Sequence, residues 1–344
     1  MAKSKNELCW SYLLHLGFNM WLEENNPAYM NDGNPIEKGN DYVVASRKLR
    51  FDMDTYNTII DALCDAGINT VVLDLGEGVQ YKSHPEISAE GAWSVDFLKS
   101  ELAKLRARGI TPIPKLNFAA THDEWMGVYS RMVSTDIYYK VCSDLIAEVC
   151  EIFDHPSYFH IGMDEEDYEC QSENVYVVMR QGELWWHDLN FLIDECKKNG
   201  ADAIMWSDMG RYYEDFEDRI SKNVIQNNWY YWNYWLDMDC NFDNPIASSE
   251  LPEKRLERYT KFLNLFGRFE KAGIKQMPAG STWNNKYNMS NLVKFSKHVI
   301  SEENLAGFMQ TLWEPTVADR LDKHLECIAN MKLAIDKYDE IDEK

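Results

Sequence analysis

The chain has 344 residues, 45% of them apolar and 27% charged, a composition suited to a globular protein with one large or two small hydrophobic cores. No run approaches the roughly 18 consecutive apolar residues of a membrane helix. With 57 acidic against 35 basic residues the formal net charge is −22, and the positive charges form no block. A membrane-spanning protein is thereby excluded at the sequence level, and neither nucleic acid nor an anionic membrane is expected as a partner.

The polar residues 1–7 contain no apolar h-region, so a cytoplasmic protein is expected. The first predicted element is a strand over 12–18. An Asn-, Gly-, Pro- and Asp-rich segment, 23–48, follows it and reads as a loop on the functional face. Then a pattern repeats: an amphipathic helix stops at a glycine and a short β-branched strand begins within one or two residues. Helix 54–66 ends at Gly67 before strand 70–73, and helix 94–108 ends at Gly109 before strand 111–114. Helix 184–198 ends at Gly200 before strand 203–206, and helix 253–272 at Gly273 before strand 274–277. Further strands are predicted over 158–161, 224–228 and 306–309, with helices over 136–153, 214–220, 291–300 and 318–338. Short apolar strands alternating with helices, eight times over, predict an α/β fold: a single (β/α)8 TIM barrel spanning 1–344. The alternative, a doubly wound nucleotide fold, has no G-x-G-x-x-G and no phosphate-binding loop after any strand.

In such a barrel the functional residues follow the strands at their C-terminal ends. In strand order these positions carry Asn19, then Asp74 and Glu77, then His122, then Asp164 and Glu165. After them come Trp206 and Asp208, Trp229, Trp283, and finally Trp313 and Glu314. Carboxylates, amides and indoles on one rim suit a carbohydrate: aromatic faces meet the C–H faces of a pyranose, and acids or amides meet its hydroxyls. Trp229 opens a dense aromatic run, 229–235, part of which is expected to line the pocket.

Asp164 and Glu165 are the sharpest element. Two adjacent carboxylates resist double ionisation, so one can stay protonated near neutrality and act as a general acid. Asp-Glu-Glu-Asp alone, in so acidic a chain, could be a solvated turn, and that reading is kept for Glu166 and Asp167. His160 is expected to hydrogen-bond near the pair. The eight cysteines lack C-x-x-C spacing and read as reduced thiols. No His-x-His or His-x-x-x-His occurs, so no metal and no cofactor is expected.

The run Phe159-His160-Ile161-Gly162-Met163-Asp164-Glu165 resembles the His-x-Gly-Gly-Asp-Glu signature of glycoside hydrolase family 20, the β-N-acetylhexosaminidases. Asn69 to Glu77, His84-Pro85-Glu86-Ile87, Gly109 to His122, Met205-Trp206-Ser207-Asp208-Met209 and Leu312-Trp313-Glu314 are similar to other patterns of that family. The resemblance covers residues 50 to 315 in outline. It implies a substrate-assisted retaining hydrolase, in which the substrate's 2-acetamido oxygen attacks the anomeric carbon. Asp164 would then orient the acetamido N–H, and Glu165 would act as general acid and base. Trp206, Trp283 and Trp313 would wall the pocket, with Glu314 and His122 bonding sugar hydroxyls or the carboxylate pair. Met163 stands where the family has a second glycine. Asn19-Met20-Trp21 stands where it has a sugar-clamping arginine, for which Arg47 or Arg50 is the candidate substitute. The alternatives are a glycosidase in which Glu314 is a protein nucleophile, and a sugar-binding barrel without turnover.

Overall fold

Asp52 begins the first helix by accepting the Thr55 N–H with its carboxylate, and Gly67, at φ +75°, ends it. The other three stop glycines, Gly109, Gly200 and Gly273, also have φ between +66° and +86°. This local chemistry repeats around a computed structural model that describes residues 5–24, 30–31, 34–35, 42–172, 179–238 and 240–341.

Eight parallel strands form the barrel: β1 Cys9–His15, β2 Thr70–Asp74, β3 Thr111–Lys115, β4 Tyr158–His160, β5 Asp202–Trp206, β6 Ile225–Asn227, β7 Ala279–Ser281 and β8 Gly307–Thr311. Their hydrogen-bonded order is β6-β5-β4-β3-β2-β1-β8-β7. Bridges Gln226↔Gln276 and Trp229↔Ala279 close β6 onto β7, so the sheet has no free edge. After the strands lie α1 Met53–Ala66, α2 Val95–Ala107, α3 Asp136–Ile152, α4 Glu183–Lys198, α5 Phe216–Arg219, α6 Glu253–Lys271, α7 Asn288–Val299 and α8 Leu321–Lys337.

The interior of the barrel is filled by Leu13, Val72, Ile113, Ile204, Trp206, Ile225, Met277 and Met309, and a larger apolar layer lies between strands and helices. Toward one end the filling becomes polar. Lys115, fully buried, pairs with Asp74, and His15 lies 3.3 Å from the same carboxylate.

Two strands differ from expectation. β1 begins and ends three residues early because Leu16 and Gly17 both turn their N–H groups onto the Asp74 carbonyl, leaving the ladder while the apolar run continues. In the seventh strand Pro278 supplies no N–H, so regular pairing resumes only at Ala279, past the predicted 274–277. Most of the predicted loop 23–48 lies outside the described residues. Its flanks are anchored by bridges Leu22↔Val44 and Lys48↔Glu90. Among the described residues no helix is long and apolar enough to cross a membrane.

Candidate active site

The loop after β4 is fixed by the close approach of two backbones. Gly162 has φ +75°, and a Cβ there would stand 1.8 Å from Asn117 Oδ1. Glycine therefore lets the β3 and β4 loops touch, and Asn117 Nδ2 then donates to Asp164 Oδ1 at 3.0 Å. Asn117 Oδ1 accepts the Ala119 N–H at 3.0 Å, which settles which way the amide points. Just beyond, Met163 and Glu165 hold φ of +71° and +52°, and across the rim Trp313 holds +61°. Met163 thus keeps the left-handed backbone a glycine would take freely. Three strained residues around one opening are a feature of sites whose geometry is held by the surrounding structure.

His122 stands between the carboxylates, with Nδ1 3.6 Å from Asp164 Oδ1 and Nε2 3.5 Å from Glu165 Oε2. Thr121 Oγ1 lies 3.0 Å from His122 Nδ1 and donates to the Asp164 carbonyl at 3.2 Å. The Glu165 N–H donates to Asp208 Oδ2 at 2.9 Å. Asp164 is 6% exposed, whereas the Glu165 side chain is 45% exposed at the mouth. Partial withdrawal from water raises the Glu165 carboxyl above its ordinary value. His122 opposes that rise, and the charges of Asp164 and Asp208 add to it.

These groups open into a cavity of about 270 Å³, lined by Trp21, His122, Asp164, Glu165, Trp229, Tyr231, Trp232, Arg258, Trp283, Asn284 and Trp313. That lies just under the roughly 300–1,000 Å³ of ordinary small-ligand sites, and fits a ligand of sugar size. Every barrel strand except β2 and β5 sends a residue to this lining through the loop after it, and α6 adds Arg258. Thr311 Oγ1 donates its one proton to the Gly280 carbonyl at 3.1 Å, so the Tyr231 hydroxyl, which accepts from Trp313 Nε1 at 3.1 Å, turns its own proton toward Thr311 Oγ1 at 3.3 Å. Burial raises the Tyr231 hydroxyl well above its usual range, which keeps that proton in place.

Of the residues expected at the site, Asp164, Glu165, His122, Trp229, Trp283 and Trp313 come together in the lining, and the other six do not. The Asn19 amide is consumed by Ser46 and by Arg50. Asp74 faces Lys115 and His15 inside the barrel. Burial pushes its carboxyl up, but the Lys115 ammonium and the neighbouring His15 imidazole outweigh this and hold it at about 2. Glu77 accepts the N–H groups of Phe18 and Asn19 and so secures the loop after β1. Trp206 is fully buried beneath the pocket, its ring 5.6 Å from Trp313 and 4.7 Å from His160. Asp208 holds the Glu165 backbone and the Trp229 indole. Glu314 is paired with Arg320 and Lys323.

Two further expectations are corrected, those for Glu166 and for the substitute arginine. Glu166 is no solvated acid: it is fully buried and forked by Arg180, whose guanidinium also lies 3.4 Å from Asp188. Asp167 accepts the Glu169 and Cys170 N–H groups of a one-turn helix. Arg47 pairs with Glu24, and Arg50 spends its donors on the carbonyls of Phe18, Tyr42 and Val44, so neither is the arginine of the pocket. Among the described residues that line the cavity, the arginine is Arg258. His160 accepts the Gly162 N–H at Nδ1 and meets Asn227 at Nε2. Sequence reasoning placed Trp21, Tyr231, Trp232 and Asn284 after strands without singling them out, and passed over Arg258. Trp21, Tyr231, Trp232 and Asn284 sit within three residues of the positions singled out. Arg258, on a helix, carried no such signal. No cluster of three or more His, Cys, Asp or Glu able to hold a metal occurs among the described residues.

The fold and this opening define a (β/α)8 barrel with an aromatic pocket around a carboxylate pair at the C-terminal ends of its strands. No protein-family model and no curated protein matches the chain in sequence. Solved structures do match. A β-N-acetylhexosaminidase from Bacteroides fragilis superposes with a TM-score of 0.59 at 14% identity, over 94% of this chain and 65% of its own. The Flavobacterium johnsoniae chitobiase gives 0.56 at 17% identity, over 86% of this chain and 50% of its own. An N-acetyl-β-hexosaminidase from Streptomyces plicatus, solved with Thio-NAglucal, gives 0.56 at 12% identity, over 94% and 64%. The chain thus spans between half and about two thirds of the length of these proteins, and the likeness is one of fold.

Proposed function

We propose that the protein is a glycoside hydrolase that removes a terminal β-linked N-acetylhexosamine by substrate assistance. The observation that carries this reading is the Asp164–His122–Glu165 arrangement at the floor and mouth of an indole-walled cavity. The fold shared with the hexosaminidases supports it, and so do the residues matching their signature.

In the first step the acetamido carbonyl oxygen of the substrate attacks C1 while the bond from C1 to the leaving oxygen breaks. Glu165 supplies the proton that the leaving oxygen takes, a role suited to a raised carboxyl at the solvent edge. Asp164, oriented by Asn117, accepts the acetamido N–H and offsets the positive charge of the oxazolinium-like intermediate. In the second step the Glu165 carboxylate takes a proton from water, whose oxygen attacks C1, and the acetamido group reopens. Trp229, Trp283 and Trp313 present faces to the sugar ring.

A protein nucleophile is disfavoured, because Glu314 is bound to two cations outside the cavity lining. The test is a panel of nitrophenyl glycosides. Turnover of 2-acetamido sugars with none of their 2-hydroxy counterparts is expected. Comparable rates for both would refute substrate assistance, and binding without hydrolysis would leave a sugar-binding barrel.

A further inference from the structure

A second cavity, of about 410 Å³, adjoins the first and shares Trp232, Arg258 and Asn284 with it. Its remaining lining is Asn233, Ile246, Arg255, Tyr259 and Asn285, so the described lining contains two arginines and no acid, in a chain of net charge −22. Both arginines lie in the first two turns of α6, where the helix dipole favours anions and disfavours cations. Neither has a carboxylate partner among the described residues, and the neighbouring Glu257 is engaged by Lys261 at 2.7 Å. Both are exposed; Arg258 also lies over the Trp232 and Phe262 rings, at 5.5 and 5.9 Å, and the pair, with no carboxylate of its own among the described residues, attracts a ligand anion.

The rest of the cavity suits a sugar. Trp232 stacks on Tyr259 with ring centroids 4.7 Å apart, and the Arg258 guanidinium lies 5.5 Å from the Trp232 ring, so indole and cation form one wall. Asn233 is fully occupied by its own bonds to Asp243, Asn244, Trp235 and Asn291, which makes it a support for this wall and not a ligand.

We infer that this cavity is a leaving-group subsite selective for an anionic sugar, one bearing a carboxylate or a sulfate ester, bound by Arg255 and Arg258 against Trp232. The inference rests on the glycosidase reading, since it needs the first cavity to hold the sugar that is released. Guanidinium groups match both anions through paired N–H donors, so the two sources are separated by experiment.

The experiment compares kcat/KM for three disaccharides carrying the same terminal N-acetylhexosamine on a neutral hexose, a uronic acid or a sulfated hexose, with the nitrophenyl hexosaminide as reference. Wild type is expected to favour at least one anionic substrate by about tenfold over the neutral one, corresponding to about 1.4 kcal/mol. The preference should shrink as ionic strength rises. In Arg255→Gln it should fall to about threefold or less, while the rate on the neutral disaccharide holds. Equal kcat/KM for all three disaccharides, with the nitrophenyl sugar turned over, would overturn the subsite and leave the glycosidase reading intact. No turnover of the nitrophenyl sugar would overturn both.

Discussion

Asn117 Nδ2 and Asp164 Oδ1 are 3.0 Å apart, joined across two barrel loops at the one place where Gly162 lets them approach. The bond fixes the inner carboxylate while the outer one, Glu165, faces solvent. Two adjacent acids therefore meet different environments, the condition under which a pair of carboxyls divides its duties.

Glu165→Gln should lower kcat by about 10²- to 10⁴-fold on substrates with a poor leaving group, the usual worth of general acid catalysis. The loss should shrink for nitrophenyl glycosides, which leave with little protonation. Because the Glu165 carboxyl is raised, its protonated form persists to higher pH than that of an ordinary glutamate. Activity on poor leaving groups should accordingly fall as pH rises through its pKa, and this limb should vanish in the variant. A kcat series over leaving-group pKa at several pH values checks both; equal losses for all leaving groups would remove Glu165 from the acid role.

Much of this arrangement was legible in the chain. Glycine stops and β-branched strands gave the eightfold alternation, because helix capping and strand burial are local. The Asp164–Glu165 pair stood out because its neighbours fix a strand end. What escaped was side-chain destination. Asp74 ends a strand and Glu77 and Glu314 follow theirs, as site residues should, yet each is claimed by a partner distant in sequence or a turn further on: Lys115, the Phe18 backbone and Arg320. Arg258 reaches the cavity from a helix, a position that no strand-end rule samples.

Trp283→Ala should raise KM about 2- to 10-fold with kcat nearly unchanged. The indole is 55% exposed and lines the cavity at its rim, so it offers a face to the ring without touching the reacting bonds. Aromatic contacts of this kind are worth about 0.5–1.5 kcal/mol. Initial-rate kinetics separate the two constants, and a fall in kcat alone would place Trp283 elsewhere in the mechanism.

Asp74→Asn should destabilise the fold, since it leaves Lys115 buried without its counter-charge, a loss of about 3–5 kcal/mol. In the wild type the Asp74 carboxyl sits at about 2 in the folded state, below its unfolded value near roughly 3.9. Its stabilisation, about 2.6 kcal/mol, is complete above the unfolded value and disappears as pH falls toward the folded one. Urea unfolding midpoints between pH 6 and pH 2 should therefore decline less steeply in the variant. Pairing Asp74→Asn with Lys115→Met should recover part of the stability, and no recovery would contradict the ion-pair account.

Substrate assistance stands or falls on Asp164. The decisive measurement is the inhibition constant of a thiazoline analogue of the N-acetylhexosamine for wild type and for Asp164→Asn, determined against nitrophenyl hexosaminide hydrolysis. The fused ring nitrogen of that inhibitor occupies the place of the acetamido nitrogen, and a charge-assisted hydrogen bond to Asp164 should hold it. The account predicts competitive inhibition of the wild type and binding at least about tenfold weaker in the variant, a difference of about 1.4 kcal/mol. A wild-type enzyme that hydrolyses the substrate yet ignores the thiazoline, or a variant that binds it equally well, would contradict the acetamido-orienting role of Asp164.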